Sequence, residues 1–278
     1  MVKDYIREQI ANIKDANLAG CIVREYLQAR ILESLQEAGA FVNWAFVGGT
    51  ALRFLYAMPR FSEDLDFSLS QAGAEDNFTN FMKKAKADFE AENYNIAIKV
   101  KTSKTVKSAF IKFAGLLYEM GLSPLASETV SIKVEIDTNP PAGAGLETSI
   151  IRRHILLNFQ HYDKSSLFAG KLHALLMRKY VKGRDIYDLM WYLSDRTWPM
   201  PNLLLLNNAL TQTEWHGSQI TEENWQAEIA HRLCEFDWGR VVADVKPFVE
   251  KQSELNMITL DSILALLKQR RNTAELPL

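Results

Sequence analysis

Apolar residues recur at three- and four-residue steps through Ile6, Ile10 and Ile13, and again through Val23, Leu27, Ile31 and Leu35. That spacing predicts one or two amphipathic helices over residues 4–38. The pattern then changes. Trp44, Ala45, Phe46 and Val47 form a short apolar run that meets Gly48 and Gly49, after which Leu52, Leu55 and Tyr56 resume a helical step as far as Pro59. A strand over 44–47, a helix over 49–56 and a second strand over 64–69 follow from this order. A longer helix is expected over 74–92, with Phe78, Phe81, Met82 and Phe89 on its buried side. Tyr94, Ile96, Ile98 and Val100 alternate with Asn95, Ala97 and Lys99, which is the period of a strand with one face in water. Residues 109–113 read as another strand. The cleanest alternation lies at 131–137, with Ile132, Val134 and Ile136 inward and Lys133, Glu135 and Asp137 on the other face. Pro140, Pro141, Gly143 and Gly145 turn the next stretch into a loop, and 150–157 reads as a last strand. From Lys164 onward the pattern is helical. The fold expected is α+β, with a mixed-sheet domain over 1–162 and a helical domain over 163–278.

Composition narrows the partners. With 278 residues, 47% of them hydrophobic, the chain can bury a full core. A formal charge of −2 supplies no global field for nucleic acid, so any such contact has to come from a local patch. In the sequence the densest basic stretch with an aromatic is Arg178-Lys-Tyr-Val-Lys-Gly-Arg184. Cys21 and Cys234 lack the spacing of a metal or redox site, which fits a reducing compartment. The charged start is unlike a signal peptide, and the apolar runs are too short to cross a membrane. The expectation is a soluble cytoplasmic protein with no membrane partner.

The chemistry concentrates in two places. A glycine pair between a strand and a helix lets backbone approach a phosphate, which the free N–H groups of the first helical turn can hold. Asp64 and Asp66, two apart on an extended segment, point to one face and can hold a divalent metal together. A phosphate cradle beside paired carboxylates suits phosphoryl or nucleotidyl transfer. Further on, Lys171 and Arg178 are seven apart on one helix, and Asp185 and Asp188 three apart on the next, so each pair shares a face.

These residues resemble a known family. Gly48-Gly49-Thr50 followed by Arg60, Ser62, Asp64 and Asp66 is similar to motif I of the AbiEii/AbiGii-type nucleotidyltransferase toxins. Those toxins belong to the DNA polymerase beta-like nucleotidyltransferase superfamily, with the mycobacterial MenT toxins as relatives. Lys171, Ala174 and Arg178 match the family's Lys-x-x-Ala-x-x-x-Arg helix, and Arg184, Asp185 and Asp188 its Arg-Asp-x-x-Asp helix. The resemblance implies a magnesium-dependent enzyme that moves a nucleoside monophosphate from an NTP to an acceptor hydroxyl. By it, Asp64, Asp66, Lys171 and Asp188 are catalytic, and Gly48, Gly49, Thr50, Ser62, Arg178 and Asp185 contact the nucleotide. Two magnesium ions would sit on Asp64 and Asp66, with Glu135 or Asp137 as a third acid. Lys171 would face the phosphates, oriented by Asp188 or Asp185, in a cleft between the two domains. It further implies a toxin with a separately encoded antitoxin, and tRNA 3′ ends as the acceptor known for some relatives. Nucleotidylation of a small molecule or a protein, and nucleotide sensing without turnover, are the competing readings.

Overall fold

The computed structural model of the chain describes residues 2–274. These fall into two compact units, one made of the chain up to Pro140 together with Leu146–His161, the other of Pro141–Gly145 and the chain from Tyr162 onward.

The first unit opens with helices α1 (Val2–Ile10) and α2 (Ala16–Glu37), followed by β1 (Trp44–Val47), α3 (Gly48–Tyr56), β2 (Leu65–Leu69) and α4 (Phe78–Ala91). Strands β3 (Ile96–Lys101) and β4 (Val106–Ala114), the short helix α5 (Leu116–Glu119), β5 (Thr129–Asp137), β6 (Leu146–Arg153) and β7 (Ile155–Tyr162) come next. The strands make one seven-stranded mixed sheet in the order β3-β4-β5-β2-β1-β7-β6. Strand β2 runs antiparallel to β1 and parallel to β5. Its register sets Leu65 beside Val134 and Phe67 beside Ile136, all buried, so the alternation read from the sequence becomes one apolar sheet face. Helix α4 covers part of that face. Its Phe78 and Phe81 lie 5.8 and 5.2 Å from Trp44, and its Phe89 lies 4.9 Å from Phe113.

Three elements depart from the expected boundaries. Helix α4 starts at Phe78 because Asn77 is left-handed (φ 46°) and Asp76 accepts a hydrogen bond from the Phe78 N–H at 3.0 Å. Strand β4 is longer than 109–113 at both ends, continuing as a hairpin arm against β3. The single strand expected over 150–157 is corrected to two strands, β6 and β7, broken at His154, whose φ is 61°. No glycine, proline or asparagine marks that turn. His154 is held there from outside the hairpin, with Nε2 3.0 Å from Glu25 Oε1 and Nδ1 3.3 Å from the Tyr5 hydroxyl.

The second unit is helical: α6 (Lys164–Met177), α7 (Gly183–Ser194), α8 (Leu203–Gln212), α9 (Trp225–Cys234), α10 (Trp238–Val245) and α11 (Leu260–Ala274). Phe168 stacks on Tyr192 at 4.7 Å, with Trp198 and Trp225 buried around them, which makes these two tryptophans core residues. Arg270 reaches the carbonyls of Tyr192, Asp195, Trp198 and Pro199 and closes the end of α7. Among the described residues no helix is long and apolar enough to cross a membrane.

Glu25 is the charged centre of the first unit. Burial pushes its carboxyl up, but hydrogen bonds from His154 and Arg153 and the charges of Arg53 and Arg153 outweigh burial and hold it at about 2, against an ordinary 4.5. A depressed carboxyl stabilises the fold above its unfolded value and loses that contribution as pH falls from 4.5 toward 2. The shift corresponds to about 3 kcal/mol at neutral pH. Urea unfolding of wild type and Glu25→Gln should therefore differ most at pH 7 and converge as pH falls from 4.5 toward 2; a constant difference over that range would show that Glu25 is not the linked group.

Candidate active site

In the first unit the turn from β1 into α3 meets the acidic end of β2. Val47 is in register with Asp66, so the chain leaves the sheet directly beside that carboxylate. Gly48 has φ +78°, and a Cβ added there would lie 2.6 Å from Asp66 Oδ2. Only glycine permits both the left-handed backbone and that approach. Gly49 is equally crowded: a Cβ would stand 2.6 Å from Arg60 Nη2 and 3.2 Å from the Ser62 hydroxyl oxygen. Helix α3 has no side-chain cap from Val47, and its first turn starts at the glycine that stands against Asp66.

The same site holds its own acids in place. Thr50 is fully buried and its hydroxyl donates to the Asp64 carbonyl, so this side chain fixes the segment carrying the acids, and any phosphate contact from Thr50 is left to its N–H. Gln28 of α2, also buried, donates from Nε2 to the Ser62 carbonyl at 3.0 Å. Arg60, only 2% exposed, donates to the Phe61 carbonyl at 2.8 Å. Register separates the candidates for a third acid: Glu135 is opposite Asp66, whereas Asp137 is opposite Ser68 and accepts from the Asn139 N–H at 2.9 Å. Glu135 is also 2.7 Å from Lys133 Nζ.

Among the described residues no three His, Cys, Asp or Glu side chains form a complete metal-binding group. The donors present nevertheless suit magnesium, which is bound through one or two carboxylates, with water and substrate phosphates filling the remaining positions. Asp66 is a hard oxygen donor of that kind against the Gly48 turn, and Asp64 precedes it by two residues.

The second unit carries a buried charge network. Lys171 Nζ lies 2.7 Å from Asp185 Oδ1 and 2.7 Å from Asp188 Oδ2, and Arg178 pairs with the other oxygen of Asp185. The side chains of Lys171, Asp185 and Asp188 are 11%, 5% and 0% exposed. Both aspartates, not one, orient Lys171. The charges of the four groups cancel, so a phosphate approaching Lys171 competes with a carboxylate already there.

Sequence reasoning missed what holds this network. Gly183 lets α7 press against α10, since a Cβ there would meet the Val241 carbonyl oxygen at 1.9 Å. Gly145 packs on Asp163, the N-cap of α6, and donates to the Ser166 hydroxyl at 2.9 Å. Arg232 donates to the carbonyls of Leu175 and Arg178 and closes the end of α6. The glycines are legible as boundaries, but nothing local connects Arg232 to Arg178. His173 bonds the Thr213 hydroxyl at 2.9 Å and burial lowers its pKa, the behaviour of a packed histidine.

A glycine turn against an acidic strand end on a mixed sheet is an arrangement suited to nucleotidyl transfer. A crystal structure of an inferred nucleotidyltransferase from H. pylori is similar over 92% of this chain and 96% of its own, at 18% identity and a TM-score of 0.56. That of JHP933 from Helicobacter pylori is similar over 91% and 94%, at 20% identity and a TM-score of 0.50. At such identities the likeness concerns the fold. No curated protein matches the chain. Residues 30–265 match the family described as nucleotidyl transferase AbiEii toxin, type IV TA system. The chain belongs to this AbiEii nucleotidyltransferase toxin family.

The buried network makes a stability prediction. Lys171→Met leaves Asp185 and Asp188 short of a cation and is expected to cost about 3–5 kcal/mol. Adding Asp185→Asn and Asp188→Asn to it should recover part of the loss in denaturant titrations. An unchanged midpoint for Lys171→Met would show that the network does not stabilise the helices.

Proposed function

We propose that the chain moves a nucleoside monophosphate from an NTP to an acceptor hydroxyl on RNA, with tRNA 3′ ends the acceptor that the family resemblance suggests. The observation that carries this reading is the Gly48 start of α3 set against the Asp66 carboxylate, with Glu135 in register next to it. First-turn N–H groups of α3 and the Ser62 hydroxyl hold the outer phosphates, at a turn where Gly48 and Gly49 let Asp66, Arg60 and Ser62 stand close to the backbone. Asp64 and Asp66 would hold magnesium, two ions by the family's chemistry, with Glu135 in register beside Asp66. When bound, magnesium neutralises charge on the reacting phosphate and makes the acceptor hydroxyl easier to deprotonate.

The acceptor oxygen forms a bond to the α-phosphorus as the bond to the β-phosphate oxygen breaks, and pyrophosphate leaves. The hydroxyl proton passes to a carboxylate of the Asp66 and Glu135 group and then to water. Lys171, oriented by Asp185 and Asp188 with Arg178 behind them, serves the nucleotide phosphates. The biological reading is a toxin restrained by a separately encoded antitoxin.

Saturating magnesium with NTP should stabilise the protein by about 2.7 kcal/mol at a hundredfold over the dissociation constant. Asp66→Asn should remove the magnesium-dependent part and abolish transfer while folding normally, because it relieves crowding among carboxylates. Wild-type transfer by Asp66→Asn, or thermal unfolding unmoved by every magnesium–NTP pair, would overturn this reading.

A further inference from the structure

The open face of β3 and β4 is basic, although the chain as a whole is not, and the adjoining β5 adds Lys133, which is paired with Glu135, and Asp137. Across β3 and β4, Lys99 pairs with Phe110 and Lys101 with Ser108; across β4 and β5, Phe110 pairs with Lys133, Ser108 with Glu135 and Lys112 with Ser131. Paired residues project from the same face of a ladder. Lys101, Ser108, Glu135 and Asp66 therefore form one row across the sheet, and Lys99, Phe110 and Lys133 form the next. The other face carries the buried Ala109, Ile111 and Val134. Lys99, Lys101 and Lys112 are exposed, Phe110 is half-buried, and Lys133 Nζ stands 5.9 Å from the Phe110 ring centroid. Neither β3 nor β4 contains an acidic residue.

We infer that this face is a docking track for a single-stranded nucleic acid whose end supplies the acceptor hydroxyl. The lysines bind successive phosphates and Phe110 stacks a base, the combination that single-strand binding surfaces use. Phe110 is two strands from β2 and one pleat off the Asp66 row, roughly 12 Å from it by sheet geometry. A strand lying on the lysines thus delivers its end along the row to Asp66. An acidic protein would use the lysines as well, but it gives no reason for the row to lead into the catalytic acids. The inference rests on the nucleotidyl-transfer reading and adds the acceptor's path to it.

The test uses the full chain and a fluorescent single-stranded RNA of about twelve nucleotides, with anisotropy measured at several salt concentrations. Three phosphate contacts, by Lys99, Lys101 and Lys112, predict a slope of log affinity against log salt near −2, which Lys99→Gln/Lys101→Gln/Lys112→Gln should reduce to near zero. Phe110→Leu should weaken binding on the order of tenfold without changing the slope. Stabilisation by magnesium–NTP should be unchanged in both variants, since neither touches the nucleotide site. Wild-type affinity and slope in the triple variant would overturn the proposal. So would a wild-type protein that binds polyglutamate through these lysines and does not bind the RNA. Transfer to RNA that ignores both variants would remove the track and keep the transfer reading. Lysine-dependent RNA binding by a protein that transfers no nucleotide would keep the track and remove the transfer reading.

Discussion

The approach of the Gly48 backbone to the Asp66 carboxylate is the constraint on which the candidate site depends. Two strands must be adjacent for it to happen, and β1 and β2 are, with Val47 and Asp66 in register. The chain must then turn at once into α3, whose N-cap is Val47. A positive φ at Gly48 makes that turn possible, and the lack of a side chain lets the acid stand against it. Thr50 and Gln28 tie the loop between α3 and β2 from two sides, through the carbonyls of Asp64 and Ser62. The segment that carries Asp64 is therefore placed by contacts to its backbone.

The second unit uses charge differently. Lys171, Asp185 and Asp188 pair in a nearly dry environment, with the half-buried Arg178 on Asp185, so their first effect is to lock α6 to α7. Removing one member strands another, whereas exchanging a carboxylate for a phosphate keeps the lysine paired. A structural and a ligand-binding role are thus compatible in this network. The two differ in what they predict for a variant: one lowers stability, the other weakens nucleotide binding.

Much of the fold and of the glycine turn is legible in short stretches of sequence. The run from Trp44 to Val47, the glycine pair and the alternation around Val134 are local signals, because side-chain period and backbone freedom are properties of a few consecutive residues. The features that sequence reading does not reach are non-local. The turn at His154 depends on Glu25 and Tyr5, which lie far upstream. Glu135 and Asp137 are equivalent by spacing, and only the pairing of β2 with β5 distinguishes them. The basic stretch from Arg178 to Arg184 is the densest patch in the sequence, yet Arg178 is bound to Asp185 and Arg184 lies over the Phe248 ring, 4.3 Å from its centroid. The lysines of the open sheet face, by contrast, come from three strands and meet only through register.

The central claim is that the Gly48 turn places the acids for chemistry. The most direct measurement is transfer of label from each α-labelled NTP to RNA by wild type and Gly48→Ala, with magnesium and with EDTA. A methyl group there would stand 2.6 Å from Asp66 Oδ2 at a φ of +78°, so the carboxylate or the turn has to move. Displacements of that size cost on the order of a hundredfold in rate. Magnesium-dependent labelling by wild type is expected, with a loss of about that size in a folded Gly48→Ala protein. Equal labelling by the two proteins would contradict the claim.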